Sequence, residues 1–154
     1  MLPETRPDSS TFREDVLRGL RKERKELPCK YLYDRTGSLL FERICTLREY
    51  YVPHIEKEIM LDSIEEIACR IDGPGLRLVE YGCGDCEKTR LLLDHLSGLS
   101  AYIPIDICLE QLQRTASDLD FEYPELAVLP VCADYTEDFS IPLSSEESGR
   151  AVVY

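Results

Sequence analysis

Positive charge is scarce in this chain. Its 154 residues hold 18 Lys and Arg against 30 Asp and Glu, a net charge of −12. Phosphate backbones call for clusters of Lys and Arg, so nucleic acid is disfavoured as a partner. The one basic cluster, Arg18 to Lys25, is interrupted by Glu23 and followed by Glu26, and reads as a solvated helix face. No apolar run approaches the roughly 20 residues of a membrane span. The N-terminus has no apolar core of a signal peptide, and a cytoplasmic protein is expected. Histidine is limited to His54 and His95, neither near the motifs below, which disfavours histidine-driven catalysis. The seven cysteines are odd in number and scattered. With no second Cys-x-x-Cys and no His-x-x-x-His, neither a disulfide framework nor a structural zinc site is expected. Cys45, Cys69, Cys108 and Cys132 lie in apolar patterns and read as small core residues. There is no internal repeat.

What the chain does have is concentrated in Leu76–Arg90. An apolar run, Leu76-Arg77-Leu78-Val79-Glu80-Tyr81, leads into Gly82-Cys83-Gly84, and a helical pattern follows. A strand hands over to a helix in this way around a nucleotide-like ligand. Gly82 permits a turn that a side chain forbids, and Gly84 lets the main chain approach a ligand. The third glycine of the dinucleotide fingerprint is missing, since Cys86 and Glu87 stand near its place. That argues against a tightly packed pyrophosphate. Glu80 before the turn tilts the reading toward S-adenosylmethionine, whose ammonium an acid there could favour.

The remaining chain divides in two. Residues 1–10 read as a mobile tail and 11–74 as a helical cap. Thr11 with Glu14 can form a capping box, and Phe12, Val16, Leu17 and Leu20 recur at helical spacing. Arg35-Thr36-Gly37 reads as a turn, with Ser38 capping the next helix. Pro53 suits the first turn of a third helix, which presents Met60, Ile64, Ile67, Ala68 and Ile71 on one side and stops at Asp72-Gly73-Pro74-Gly75. From residue 75 strands and helices alternate. Strands are predicted over Leu76–Tyr81, Ala101–Ile105, Ala127–Cys132 and from Arg150 to Tyr154, with helices over Glu87–Leu96 and Leu109–Phe121 and a polar loop from Ser144 to Gly149. The fold class is α/β: about four parallel strands of a Rossmann-like sheet behind an N-terminal helical segment. The abrupt stop after Ala151-Val152-Val153-Tyr154 reads as the front half of a larger domain, with an exposed strand edge available for association.

Ligands in such sheets bind beyond the carboxyl ends of the strands. Here those ends carry Gly82-Cys83-Gly84, then Asp106, then Asp134-Tyr135. Asp106 follows Gly82 by 24 residues, close to the spacing of an acid that accepts from ribose hydroxyls. Asp134 could accept from an exocyclic amine such as that of adenine, with Tyr135 as a ring wall or amide. Each has a plainer role open to it: Asp106 and Asp134 as helix caps or turn residues, Lys88 as a solvated first-turn lysine.

With Leu27-Pro28-Cys29-Lys30-Tyr31-Leu32-Tyr33-Asp34, Gly37-Ser38-Leu39-Leu40-Phe41, Glu49-Tyr50-Tyr51, Glu80-Tyr81-Gly82-Cys83-Gly84, Glu87-Lys88-Thr89-Arg90 and Tyr102-Ile103-Pro104-Ile105-Asp106, the chain resembles the histidine-specific S-adenosylmethionine-dependent Nα-methyltransferases of ergothioneine biosynthesis. The resemblance runs from about Leu27 to Tyr154. It implies a class I methyltransferase sheet, S-adenosylmethionine as cofactor and an amino-acid α-amine, histidine foremost, as methyl acceptor. Gly82, Gly84 and Lys88 are implied to contact the cofactor, the lysine through its methionine carboxylate. Asp106 is implied to hold the ribose, and Asp134 with Tyr135 the adenine. Tyr33 is implied to close on the cofactor and Tyr51 to face the substrate, with Tyr50 as its alternative. For both tyrosines ordinary packing is the other reading. The implied reaction is in-line attack by an unprotonated amine on the sulfonium methyl; no catalytic side chain is assigned. The family builds most of its histidine pocket from sequence beyond what Tyr154 reaches, so little turnover is expected of these residues alone. Two other functions stay open: a non-catalytic binding or interaction module, and a thiol redox protein using Cys83 and Cys86 at a helix N-terminus.

Overall fold

The computed structural model describes residues 9–141 and 150–154. Most of the expected N-terminal tail and the polar loop at 144–149 fall outside those residues. α1 (Ser9–Arg21) opens before the expected capping box, which places Thr11 and Glu14 inside the helix. Its Phe12, Leu17 and Leu20 are exposed. A 3-10 turn (Cys29–Leu32) follows. α2 (Arg35–Cys45) begins where a turn was expected, because Asp34 takes the cap that the sequence offered to Ser38. The Asp34 carboxylate accepts from Gly37 N at 2.7 Å, satisfying one of the orphan donors of the first turn.

α3 (Val52–Ile71) starts with Pro53 in its first turn and stops at Asp72. Ile64 and Ala68 are buried with Met60, Ile67 and Ile71 packed alongside, in one cluster with Leu76, Leu78, Leu92, Leu93 and Tyr102. α3 therefore forms a layer on the sheet itself, lying against α4. Each aliphatic side chain so buried contributes about 1.5–3 kcal/mol before ordering costs.

The sheet is parallel. β1 (Leu76–Tyr81), β2 (Leu99–Asp106), β3 (Ala127–Val128), β4 (Val131–Cys132) and β5 (Ala151–Val153) are joined through α4 (Glu87–Leu93) and α5 (Leu109–Glu122). The order is β3-β2-β1-β5, with β4 also on β2. The third strand predicted over Ala127–Cys132 is thus two short pieces. Both keep the same register on β2, with Tyr102 opposite Val128 and Ile105 opposite Val131. That register sets Pro104 beside Pro130. Neither residue has an N–H to give, and the ladder breaks there. Leu78, Val79, Ile103 and Ile105 have no exposed surface, as a sheet covered on both faces requires. Among the described residues, no helix is long and apolar enough to cross a membrane.

Candidate functional site at the carboxyl ends of the strands

The chain winds outward from β1 to β2 and β3, then returns to the other side of β1 as β5. The direction of winding reverses at β1, and the crevice of such a sheet opens at that strand's carboxyl end. Gly82 (φ +72°), Gly84 (φ +53°) and Cys86 (φ +55°) all take the left-handed conformation there. A Cβ built at Gly82 or Gly84 meets nothing within 4 Å. The glycines serve the backbone turn and leave free space in front of it.

Three strand ends meet at this point. Gly82 N donates to the Ile105 carbonyl at 2.8 Å, and Ala133 N to the Asp106 carbonyl at 3.1 Å. Asp106 Oδ2 accepts from Gly84 N at 3.4 Å and Oδ1 from Cys108 N at 2.9 Å. Asp106 therefore does local turn work beside the entry to α5, yet its carboxylate keeps acceptor positions free. Burial pushes its pKa up, while the amides of Cys108, Gly84 and Ile107 pull it partly back. Asp134 follows β4. Its Oδ1 accepts from Thr136 N at 3.0 Å and from the Thr136 hydroxyl at 2.5 Å. Its Oδ2 accepts from Lys30 Nζ at 2.7 Å. Tyr135 is half exposed and sets its ring edge-on to Tyr81, 5.6 Å between centroids, with Phe139 on Tyr81 at 6.1 Å.

The other expected site residues are placed differently. Lys88 sits in the first turn of α4 and pairs with Glu56 of α3 at 2.7 Å. Tyr33 ends the 3-10 turn and packs on Phe41 at 6.1 Å. Tyr51 caps α3 and is 64% exposed. Among the described residues, no hydrogen bond or ring contact ties Tyr33 or Tyr51 to the glycine turn. Glu80 faces inward rather than toward a ligand: it is buried, with Thr89 and Tyr102 donating to one carboxylate oxygen. Lys30 carried no assigned role in the sequence, since nothing in the aromatic stretch around it announces a partner 104 positions away.

The redox reading fails on geometry. Cys83 and Cys86 are both buried. The Cys83 thiol is pushed up, first by its hydrogen bond with Cys86 and then by burial, the reverse of the lowered pKa a reactive thiol needs. Of the four cysteines expected in the core, Cys108 and Cys132 are buried, Cys45 is partly so, and Cys69 is exposed. A separate cleft of about 200 Å³ lies between α2 and α5, lined by Arg35, Leu39, Cys108, Glu110, Gln111 and Arg114. Of its lining residues, Cys108 stands two positions after Asp106 in the sequence.

A parallel sheet wound both ways from β1, with a left-handed glycine turn and carboxylates at adjoining strand ends, defines a Rossmann-like domain with its ligand crevice at that point. Residues 12–154 match the family of histidine-specific, SAM-dependent methyltransferases, and the chain belongs to that family. It is 42% identical over 131 residues to the histidine N-alpha-methyltransferase of Mycobacterium tuberculosis, covering 82% of this chain and 40% of the relative. It is 32% identical over 117 residues to the ergothioneine biosynthesis protein 1 of Schizosaccharomyces pombe, 71% of this chain and 15% of that one. The N-methyltransferase dtpB of Aspergillus flavus is 30% identical over 114 residues, 72% of this chain and 32% of the relative. The chain spans about two fifths of the length of the mycobacterial enzyme it matches.

Proposed function

We propose that these residues form the S-adenosylmethionine-binding part of an N-methyltransferase that acts on the α-amine of an amino acid, histidine foremost. The observation that carries the reading is the junction of Gly84 N with Asp106 Oδ2, which brings the glycine turn and the β2 carboxylate into one crevice. The free space before Gly82 and Gly84 fits a ligand that lies against the main chain.

In this reading Gly82 and Gly84 carry the turn against the methionine portion. Asp106 accepts from the ribose hydroxyls, because a carboxylate can take two hydrogen bonds from a vicinal diol. Asp134 accepts from the adenine amine, and Tyr135 with Tyr81 walls that end. Lys88 holds the methionine carboxylate, exchanging or sharing its pairing with Glu56. Tyr33 closes from the N-terminal segment, and Tyr51 faces the amino-acid substrate. When bound, S-adenosylmethionine supplies a methyl group on an electrophilic sulfonium. The protein's task is then position. An α-amino group with a pKa of about 8 loses its proton readily enough that no strong protein base is needed. The helices over 11–74 serve as a cap on the sheet over 75–154, with α3 joining the two. The location is the cytoplasm, the free edge of β5 offers a place for further strand pairing, and neither nucleic acid nor membrane is a partner.

Isothermal titration with S-adenosylhomocysteine tests this. A dissociation constant in the micromolar range is expected. Asp106→Asn, with its oxygen kept on Cys108 N, turns an NH2 group toward Gly84 N and the ribose, and is expected to weaken binding at least tenfold, about 1.4 kcal/mol. No heat from the folded wild-type chain overturns the assignment.

A further inference from the structure

Lys30 lies on the 3-10 turn at the N-terminal side of the fold, yet its ammonium reaches a strand end. It is 2.7 Å from Asp134 Oδ2 and 3.9 Å from Asp15 Oδ2. The side chains of Lys30, Asp134 and Asp15 are 16%, 10% and 11% exposed. So little water reaches the pair that salt screens it weakly, and both charges give up hydration to form it. Lys30 is itself held in place. Tyr31 donates to Asp15 at 2.6 Å, and Phe12 packs edge-on against the Tyr31 ring at 4.7 Å.

The acceptor count at Asp134 is what gives this arrangement a consequence. An ionised carboxylate offers about four lone-pair positions. Thr136 takes two on Oδ1 through its amide and hydroxyl, and Lys30 takes one on Oδ2. Among the described residues, three donors from two sides fix the plane of the carboxylate and leave one acceptor position on Oδ2. Burial raises the Asp134 pKa, but the bonds from Lys30 and Thr136 outweigh it and the group sits below its ordinary value. It can only accept.

We propose that Lys30 is a specificity-determining positioning residue: by fixing the Asp134 carboxylate it leaves one aimed acceptor, which takes the exocyclic amine of adenine and rejects a purine carrying a carbonyl there. The inference rests on the adenosyl-binding reading above. A carbonyl oxygen facing that position meets a carboxylate with no proton to give, and both groups stay unpaired. Sites built around such a bond discriminate far beyond what shape alone gives.

The test compares S-adenosylhomocysteine with its deaminated analogue, S-inosylhomocysteine, by titration calorimetry. Wild type is expected to prefer the adenosyl compound by about 100-fold or more. Lys30→Met is expected to cut that ratio to below about tenfold, because Thr136 then holds Oδ1 alone and Oδ2 loses the bond that aims it. Lys30→Arg, which keeps a cation on the carboxylate, is expected to restore most of it. Thermal unfolding without ligand accompanies each variant. If Lys30→Met does not fold, Lys30→Gln carries the comparison with the same expected direction. A variant that weakens both ligands equally, or leaves the ratio unchanged, overturns the proposal: Lys30 then merely docks the N-terminal segment. Wild type binding neither compound overturns the adenosyl reading itself, and that result shows before any substitution is made.

Discussion

Thr89 donates its hydroxyl proton to Glu80 across 2.6 Å, joining the first turn of α4 to the last buried residue of β1. Tyr102 of β2 donates to the same oxygen. Each hydroxyl has a single proton to give, which settles the direction of the neighbouring bond at Tyr102. Tyr154 also bonds to Glu80, and its hydroxyl lies 2.7 Å from that of Thr89. Cys86 must donate to Tyr102, 3.1 Å away. These hydroxyls converge on Glu80, and Cys86 joins the network through Tyr102. The network ties β1, β2 and the residue after β5 to α4, and it anchors the side chain of Cys86, whose left-handed conformation costs a non-glycine residue about 1–2 kcal/mol.

The pH dependence of stability should report on Glu80. Burial raises its pKa above the ordinary 4.5, with the bonds from Thr89, Tyr102 and Tyr154 working against the shift. The folded chain therefore keeps this proton through a range above 4.5 in which the unfolded chain has lost it. The stabilisation is complete below 4.5 and disappears as pH rises through the folded-state value. Glu80→Gln can keep the Thr89 and Tyr102 bonds on its one oxygen while removing the titration. We expect its urea midpoint to vary less with pH above 4.5 than that of wild type, and to equal or exceed it at pH 8. Glu80→Leu leaves two buried hydroxyls without an acceptor and should cost about 2–3 kcal/mol. A Glu80→Gln pH profile parallel to wild type would assign the titration to another group.

Thiol accessibility gives a second check. Cys29 and Cys69 are exposed, whereas Cys83, Cys86, Cys108 and Cys132 are buried. Cys45 lies between, its thiol raised chiefly by burial. An aromatic disulfide reagent at pH 8 should modify Cys29 and Cys69 in a fast phase and the four buried thiols only on unfolding. Replacing Cys29 and Cys69 by Ser should remove the fast phase. Fast modification of Cys83 in the folded chain would reopen the redox reading, which predicts an accessible nucleophile.

The sheet was the legible part of this chain because its cues are local. The Leu76–Tyr81 run, the Asp72-Gly73-Pro74-Gly75 stop and Pro53 each announce their element within a few residues, and all three hold. The break between β3 and β4 was not readable, since Pro130 disrupts the ladder only once register sets it beside Pro104. The cap on α2 required choosing between Asp34 and Ser38, two residues with similar capping power. In the crevice, Gly82, Gly84 and Asp106 come together as their places at strand ends predict. Glu80 did not follow its expectation, because the phenol and hydroxyl that draw it inward come from Tyr102 and Thr89, on elements that meet only in the fold. Lys30 was hidden for the same reason.

Asp72 should govern the acid limit of stability. At the C-terminus of α3 its Oδ1 accepts from Gly73 N at 2.9 Å and Gly98 N at 2.8 Å. Its Oδ2 accepts from Ser97 N at 3.1 Å and the Ser97 hydroxyl at 2.7 Å. Four donors converge on one carboxylate, which fills its capacity and clamps the end of α3 to the turn that leads into β2. The Ser97 hydroxyl first, then the Gly98 amide and the other donors, hold its pKa at about 2, against an ordinary 3.8. A depressed folded-state value means the stabilisation is fully present above 3.8 and is lost as pH falls toward 2. Asp72→Asn turns an NH2 group toward donors that need an acceptor. It should lower stability at pH 6 and flatten the fall between pH 3.8 and 2. Urea titrations across that range decide the matter. If the variant loses stability on acidification as steeply as wild type does, the clamp at Asp72 is not what fails in acid, and carboxylates elsewhere in this acidic chain must carry the transition.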